Sequence, residues 1–157
     1  MTFDDLVSRL ADGQREFFTQ VAMPPGRPPQ EAYEGMLAQR AGLQATVDGY
    51  FADNDVAMIA FPAVGAPPPP IGEEHDVIVD GETVSFFAAF GRNTALAPAA
   101  GLPALTVPAG LSSTGLPVGL ELTGLPGRDR ELLELGAAVE RVLGFTGEPP
   151  RAGTSRA

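Results

Sequence analysis

No lysine occurs in this chain: its ten basic residues are all arginine, set against twenty Asp and Glu, for a formal net charge of −10. Such a surface repels phosphates instead of neutralising them, which argues against nucleic acid and against anionic membrane surfaces as partners. Cysteine is absent too, so disulfides and thiolate metal sites are excluded and the redox compartment stays open. Histidine occurs once, at His75, so any Ser-His-Asp scheme has a single candidate base, and no G-x-S-x-G elbow accompanies it. The opening Met-Thr-Phe-Asp-Asp has neither the basic segment nor the apolar core of a secretion signal, and a cytoplasmic location is expected. Residues 93–120 hold no charge of either sign. That length would cross a bilayer, but Pro98, Pro103, Pro108 and Pro117 each remove a backbone donor, so short buried strands joined by turns are expected there.

What is present is globular in character: 157 residues, 44% hydrophobic and 19% charged, enough for one domain with a core. Residues 1–146 are expected to form it, with 147–157 a disordered tail. Thr2 and Asp5 suggest a capping box ahead of the stripe Leu6, Leu10, Phe17 and Val21, which weakens at Asp12-Gly13. After the loop 23–29, Tyr33, Met36, Leu37, Arg40, Leu43, Val47 and Tyr50 predict a helix from Gln30 to about Phe51. Gly35, Gly42 and Gly49 recur along it every seven residues and read as close packing against a neighbouring element. Residues 56–61 read as a buried strand ended by Pro62, and Asp80-Gly81 as the turn of a hairpin within 76–86. From Phe86 to about Ala97 the pattern fits a helix or a buried loop equally. Residues 104–107 and 116–122 suggest an antiparallel pair around a polar loop, Ser112 to Gly115. A last helix is expected from an N-cap at Asp129, with the stripe Leu132, Leu135, Val139 and Val142 and a stop at Gly144.

Three segments then carry a resemblance. "GLPALTVPAG" (101–110), "GLPVGLEL" (115–122) and the Asp129 helix resemble, in order and spacing, the C-terminal region of the amidase signature hydrolases. "VAMIAFPAVGAPPPPIG" (56–72), with Asp55 before it, is similar to that family's strand running from an Asp to a Pro. "GRNT" (91–94), residues 108–111 and the "GLEL" ending resemble the branch of mandelamide and indole-acetamide hydrolases. The likeness covers nearly this whole chain but only about the last third of such an enzyme. It implies an α/β fold: a C-terminal segment of the amidase signature fold, a mixed sheet with flanking helices, incomplete on its own. Ala99 stands where family members commonly have a polar residue, and Ala63 where they often have Thr or Ser. Substrate identity therefore does not carry over directly.

Amidases of this kind use a Ser nucleophile, a second Ser in a cis peptide and a Lys base, so that a weakly nucleophilic hydroxyl is activated by its neighbour. The resemblance places all three in the absent N-terminal part, and the lack of lysine agrees. Ser112-Ser113 reads as a hairpin loop, and no catalytic residue is expected in this chain. His75 with Glu73, Glu74 and Asp76 lacks regular ligand spacing, so neither a metal nor a cofactor is expected. The substrate-binding candidates are Phe61 and Pro62, which end a buried strand, and Arg92, Asn93 and Thr94, polar groups at the edge of an apolar run. The competing assignment for that cluster is hydrogen bonding that braces the core. Function is read as the C-terminal portion or small subunit of an amide C–N hydrolase for small aryl-acetamide-like amides, inactive alone. Its partner would be an N-terminal amidase portion or further copies of itself. The alternative is a stand-alone, non-catalytic module of the same fold.

Overall fold

A computed structural model describes residues 2–22, 28–72 and 76–147. Contacts divide the chain into two units, one ending at Gly42 and the other starting at Leu43. In the first, α1 (Phe3–Ser8) opens on the reciprocal box the sequence suggests. Asp5 N–H donates to Thr2 Oγ1 at 3.2 Å and Thr2 N–H to Asp5 Oδ2 at 2.8 Å, holding the exposed Asp5 carboxyl below the usual carboxylate range. The weakness at Asp12-Gly13 is a real break: a second helix, α2 (Asp12–Ala22), starts there.

Helix α3 (Gln30–Asn54) runs on into the second unit. Of its predicted stripe only Val47 is buried, while Tyr33, Met36, Leu37 and Tyr50 are exposed; Phe51, outside that stripe, is buried with Val47. A Cβ on Gly35, Gly42 or Gly49 would meet nothing within 4 Å, so among the described residues these glycines serve no close packing.

The second unit holds the core. Strands β1 (Met58–Pro62), β4 (Ala104–Leu111) and β5 (Pro117–Gly124) form a sheet of order β1-β5-β4, antiparallel at both joins. Strands β2 (Asp76–Val79) and β3 (Glu82–Ser85) form a separate hairpin whose turn residues, Asp80 and Gly81, have φ of 53° and 85°. Paired left-handed residues match the twist of a two-residue hairpin, and Asp-Gly adopts them at low cost. The α/β character and the flanking helices are as the sequence implies. Among the described residues every strand pair is antiparallel, so the expected mixed sheet is not seen there.

The segment left open at Phe86 is helical: α4 (Phe86–Thr94), capped by the Ser85 hydroxyl, then α5 (Leu96–Ala100), which stops at Gly101 with φ 73°. On one side of the sheet, Val107 and Leu122 pack with Leu132 of α6 (Asp129–Leu143). On the other, Ile59 joins a cluster of Val47, Phe51, Ala97, Ala100 and Leu102, drawn from α3, α5 and the turn after it. Two details of α6 differ from expectation. Arg128, not Asp129, occupies the N-cap, and Asp129 sits in the first turn, where it still favours the helix dipole. Val142, at the far end of the stripe, is 86% exposed. Residues 148–157 of the expected tail fall outside the described residues.

Candidate functional site

The end of β1 is held from two sides. Asn93 Nδ2 donates to the Pro62 carbonyl at 2.7 Å, and the next residue, Ala63, donates its N–H to Gly119 O at 2.9 Å. Two residues further, Gly65 N–H donates to Ala89 O at 3.0 Å. A Cβ on Gly65 would lie 2.9 Å from that same oxygen, so only glycine lets the strand exit approach α4 this closely. Beside this clamp is a shallow cavity of about 160 Å³, lined by Val64, Gly65, Ala66, Pro67, Pro117 and Gly119 among others.

The structure thus brings together Pro62 and Asn93, two of the five sequence-predicted binding residues. Phe61 is half-buried beside them in β1. Thr94 Oγ1 donates within its own helix, to Phe90 O at 3.1 Å and Gly91 O at 3.4 Å. Arg92 is exposed in the last turn of α4, where a cation suits the carbonyl end of the dipole. Three consecutive helical residues point about 100° apart and cannot share one face, so "RNT" does not converge as a cluster. The bond made by Asn93 is of the bracing type that competed with a binding role in the sequence.

Sequence reasoning passed over Glu121. In the β1-β5-β4 register it lies between Phe61 and Thr106, so the three share one row on one sheet face. It is only 6% exposed, and Thr123, next on that face, is 0% exposed. Among the described residues no ion pair reaches the Glu121 carboxylate, and Thr123 Oγ1 is buried with no partner at full hydrogen-bond geometry. Burial pushes the Glu121 carboxyl up from the ordinary value of 4.5, and the neighbouring Thr123 hydroxyl offsets part of that rise. A signal was present in the sequence: Glu121 is the first charge after the uncharged run 93–120, at a position where strand alternation puts it beside Gly119 and Thr123.

Ser112 is occupied as a turn residue. Its N–H donates to Leu116 O at 2.7 Å, its Oγ accepts from Leu116 N–H at 3.1 Å, and it lies 2.9 Å from Thr114 Oγ1. Of the loose acidic group around His75, residues 73–75 lie outside the described residues, and Asp76 opens β2. Among the described residues no helix is long and apolar enough to cross a membrane.

Comparison with known proteins agrees with the architecture. The sequence model of the family described as Amidase matches residues 15–133. An indoleacetamide hydrolase of Allorhizobium ampelinum is 31% identical over 145 residues, which make up 92% of this chain and 31% of the relative. One from Rhizobium radiobacter is 40% identical over 106 residues, 68% of this chain and 23% of that protein. A solved amidase superposes with a TM-score of 0.75 at 26% identity, over 90% of this chain and 31% of its own. A 6-aminohexanoate cyclic dimer hydrolase gives 0.73 at 21% identity, over 94% and 32%, a likeness of fold. The chain therefore spans about a third or less of the proteins it matches.

Proposed function

This chain belongs to the amidase family, and from that premise we propose that it completes the sheet and lines the pocket of an amide C–N hydrolase whose nucleophile and base lie on another stretch of polypeptide. The observation that carries the reading is the share of its relatives that it spans, 31% of the A. ampelinum hydrolase, in a chain without lysine. Activation of a serine hydroxyl and stabilisation of the oxyanion would both come from the remainder. This chain would contribute positioning, with Phe61 and Pro62 at the pocket wall and Arg92, Asn93 and Thr94 at its rim. Small aryl-acetamides are the proposed substrate class, because the matched relatives are named for indoleacetamide and the strand end offers an aromatic side chain at Phe61.

The test is ammonia release from indole-3-acetamide by the chain alone, and by the chain co-expressed with the unmatched remainder of the A. ampelinum relative. No turnover is expected from the chain alone and measurable turnover from the pair. Hydrolysis by the isolated chain that disappears on replacing Ser112 and Ser113 with Ala would move the chemistry to the hairpin loop and overturn the proposal.

A further inference from the structure

The two edges of the three-stranded sheet are not equivalent. Gly124 N–H donates to Pro103 O at 3.0 Å across the join of β4 and β5. Backbone groups alternate in direction along an antiparallel ladder, so Leu105 and Val107 face β5, while Ala104, Thr106 and Pro108 turn theirs away from it. All three of these are exposed. The N–H and C=O of Ala104 and Thr106 thus have no partner among the described residues, and Pro108 sits where its missing donor costs the ladder nothing. On β1 the same alternation starts from Ala63 N–H, which donates to Gly119 O at 2.9 Å, and turns Met58, Ala60 and Pro62 outward. That edge is already taken at its end: Pro62 has no N–H, and Asn93 of α4 donates to its carbonyl at 2.7 Å. A strand laid along β1 would meet α4; one laid along β4 would not meet it.

Beside the open edge lies a groove of about 260 Å³, lined by Pro103, Ala104 and Leu105 of the β4 side and by Asp129, Leu132 and Leu133 of α6. Leu132 is buried there, whereas Leu133 is 64% exposed. Asp129 is exposed and joins neither of the two ion pairs among the described residues. We infer that the outer edge of β4 receives an extended strand of the polypeptide that supplies the rest of the amidase fold. An apolar side chain of that strand fills the groove over Leu105 and Leu133, and a basic one meets Asp129. The inference rests on the functional reading above, in which such a polypeptide exists. The edge itself selects a strand, because alternate N–H and C=O groups in a row are matched by extended backbone. Coverage selects the source: the chain spans only 31% of the A. ampelinum hydrolase, so most of the fold lies on other polypeptide. Charge agrees, since an unpaired carboxylate on a chain of net charge −10 is complemented by a cation.

The chain co-expressed with a tagged remainder of the A. ampelinum relative, and recovered on the tag, tests this in two ways. Amide hydrogen exchange at Ala104 and Thr106 is expected to be fast in the chain alone and slowed in the complex, with Met58 and Ala60 little changed. Thr106→Pro removes an outward N–H and leaves the bonds to β5 in place, and Ala60→Pro does the same on the other edge. Recovery on the tag is expected to drop roughly tenfold or more for Thr106→Pro and to hold for Ala60→Pro, both folded by circular dichroism. Slowed exchange at Met58 and Ala60 in place of Ala104 and Thr106, or undiminished recovery of Thr106→Pro, would overturn the inference while the functional reading stands. Protection of Ala104 and Thr106 that grows with the concentration of the chain alone would give the edge to a second copy and overturn it as well. No recovery of the parent chain would remove the reading itself, and the docked strand with it.

Discussion

At the scale of single residues, a charge carried inward by a strand contributes its own share to the chain's response to pH. The folded-state pKa of Glu121 lies above its ordinary 4.5, so the folded form holds its proton more tightly than the unfolded form does. Stability then falls as pH rises from that ordinary value through the raised one, and the penalty persists above it. Glu121→Gln removes the penalty. Its melting temperature is expected to exceed the parent's at neutral pH, and the two curves to converge as the pH drops below the ordinary carboxylate range. Thermal scans of both chains across pH 3 to 8, read as the difference so that the other acids cancel, check this. A gap that stays constant with pH would mean that the carboxylate is solvated in the folded chain.

At the scale of elements, local chemistry was legible and distant pairing was not. Asp80-Gly81 announced its hairpin, and Thr2 with Asp5 its cap, because each signal lies within four residues. Phe86 to Ala97 is ambiguous in sequence because its Phe, Ala and polar residues fit no single periodicity, and only the Ser85 cap settles it as a helix. For the site, Asn93 was identified as a residue but not as a bond: its acceptor, Pro62 O, is 31 positions away. Glu121 was missed because its burial depends on strands β1 and β4 flanking it on both sides. Helix α6 shows how far a stripe predicts burial. Leu132 is 3% exposed against the sheet, while Val142, on the same stripe, is 86% exposed. Leu132→Ala is therefore expected to cost about 2–5 kcal/mol, and Val142→Ala to change stability by about 0.5 kcal/mol at most. Urea unfolding of the two variants measures the contrast. Comparable losses at both positions would place the end of α6 against a surface.

At the scale of the whole molecule, the question is what a third of a fold does with the faces it would otherwise cover. The three-stranded sheet has β1 and β4 as its edges, each presenting backbone groups on the side away from β5. Pro62 and Pro108 lie on these two strands, and a proline there removes one donor from an edge without closing it. Large apolar side chains add to the exposure within the second unit: Ile78 on β2, Phe87 on α4 and Leu133 on α6 are each more than half exposed. Unpaired edges and uncovered apolar surface both favour association, and the net charge of −10 opposes it only through screened repulsion. The isolated chain is therefore expected to self-associate at micromolar concentration, more so at high salt, and to bind a dye that reports exposed apolar surface. Supplying the remainder of a relative as a second polypeptide is expected to suppress both, because the same surfaces would then be occupied. Sedimentation velocity with and without that polypeptide, at two salt concentrations, makes the measurement. A monomer that binds no dye and unfolds in one cooperative step would show that these surfaces need no cover, and would favour a stand-alone module over part of a larger enzyme.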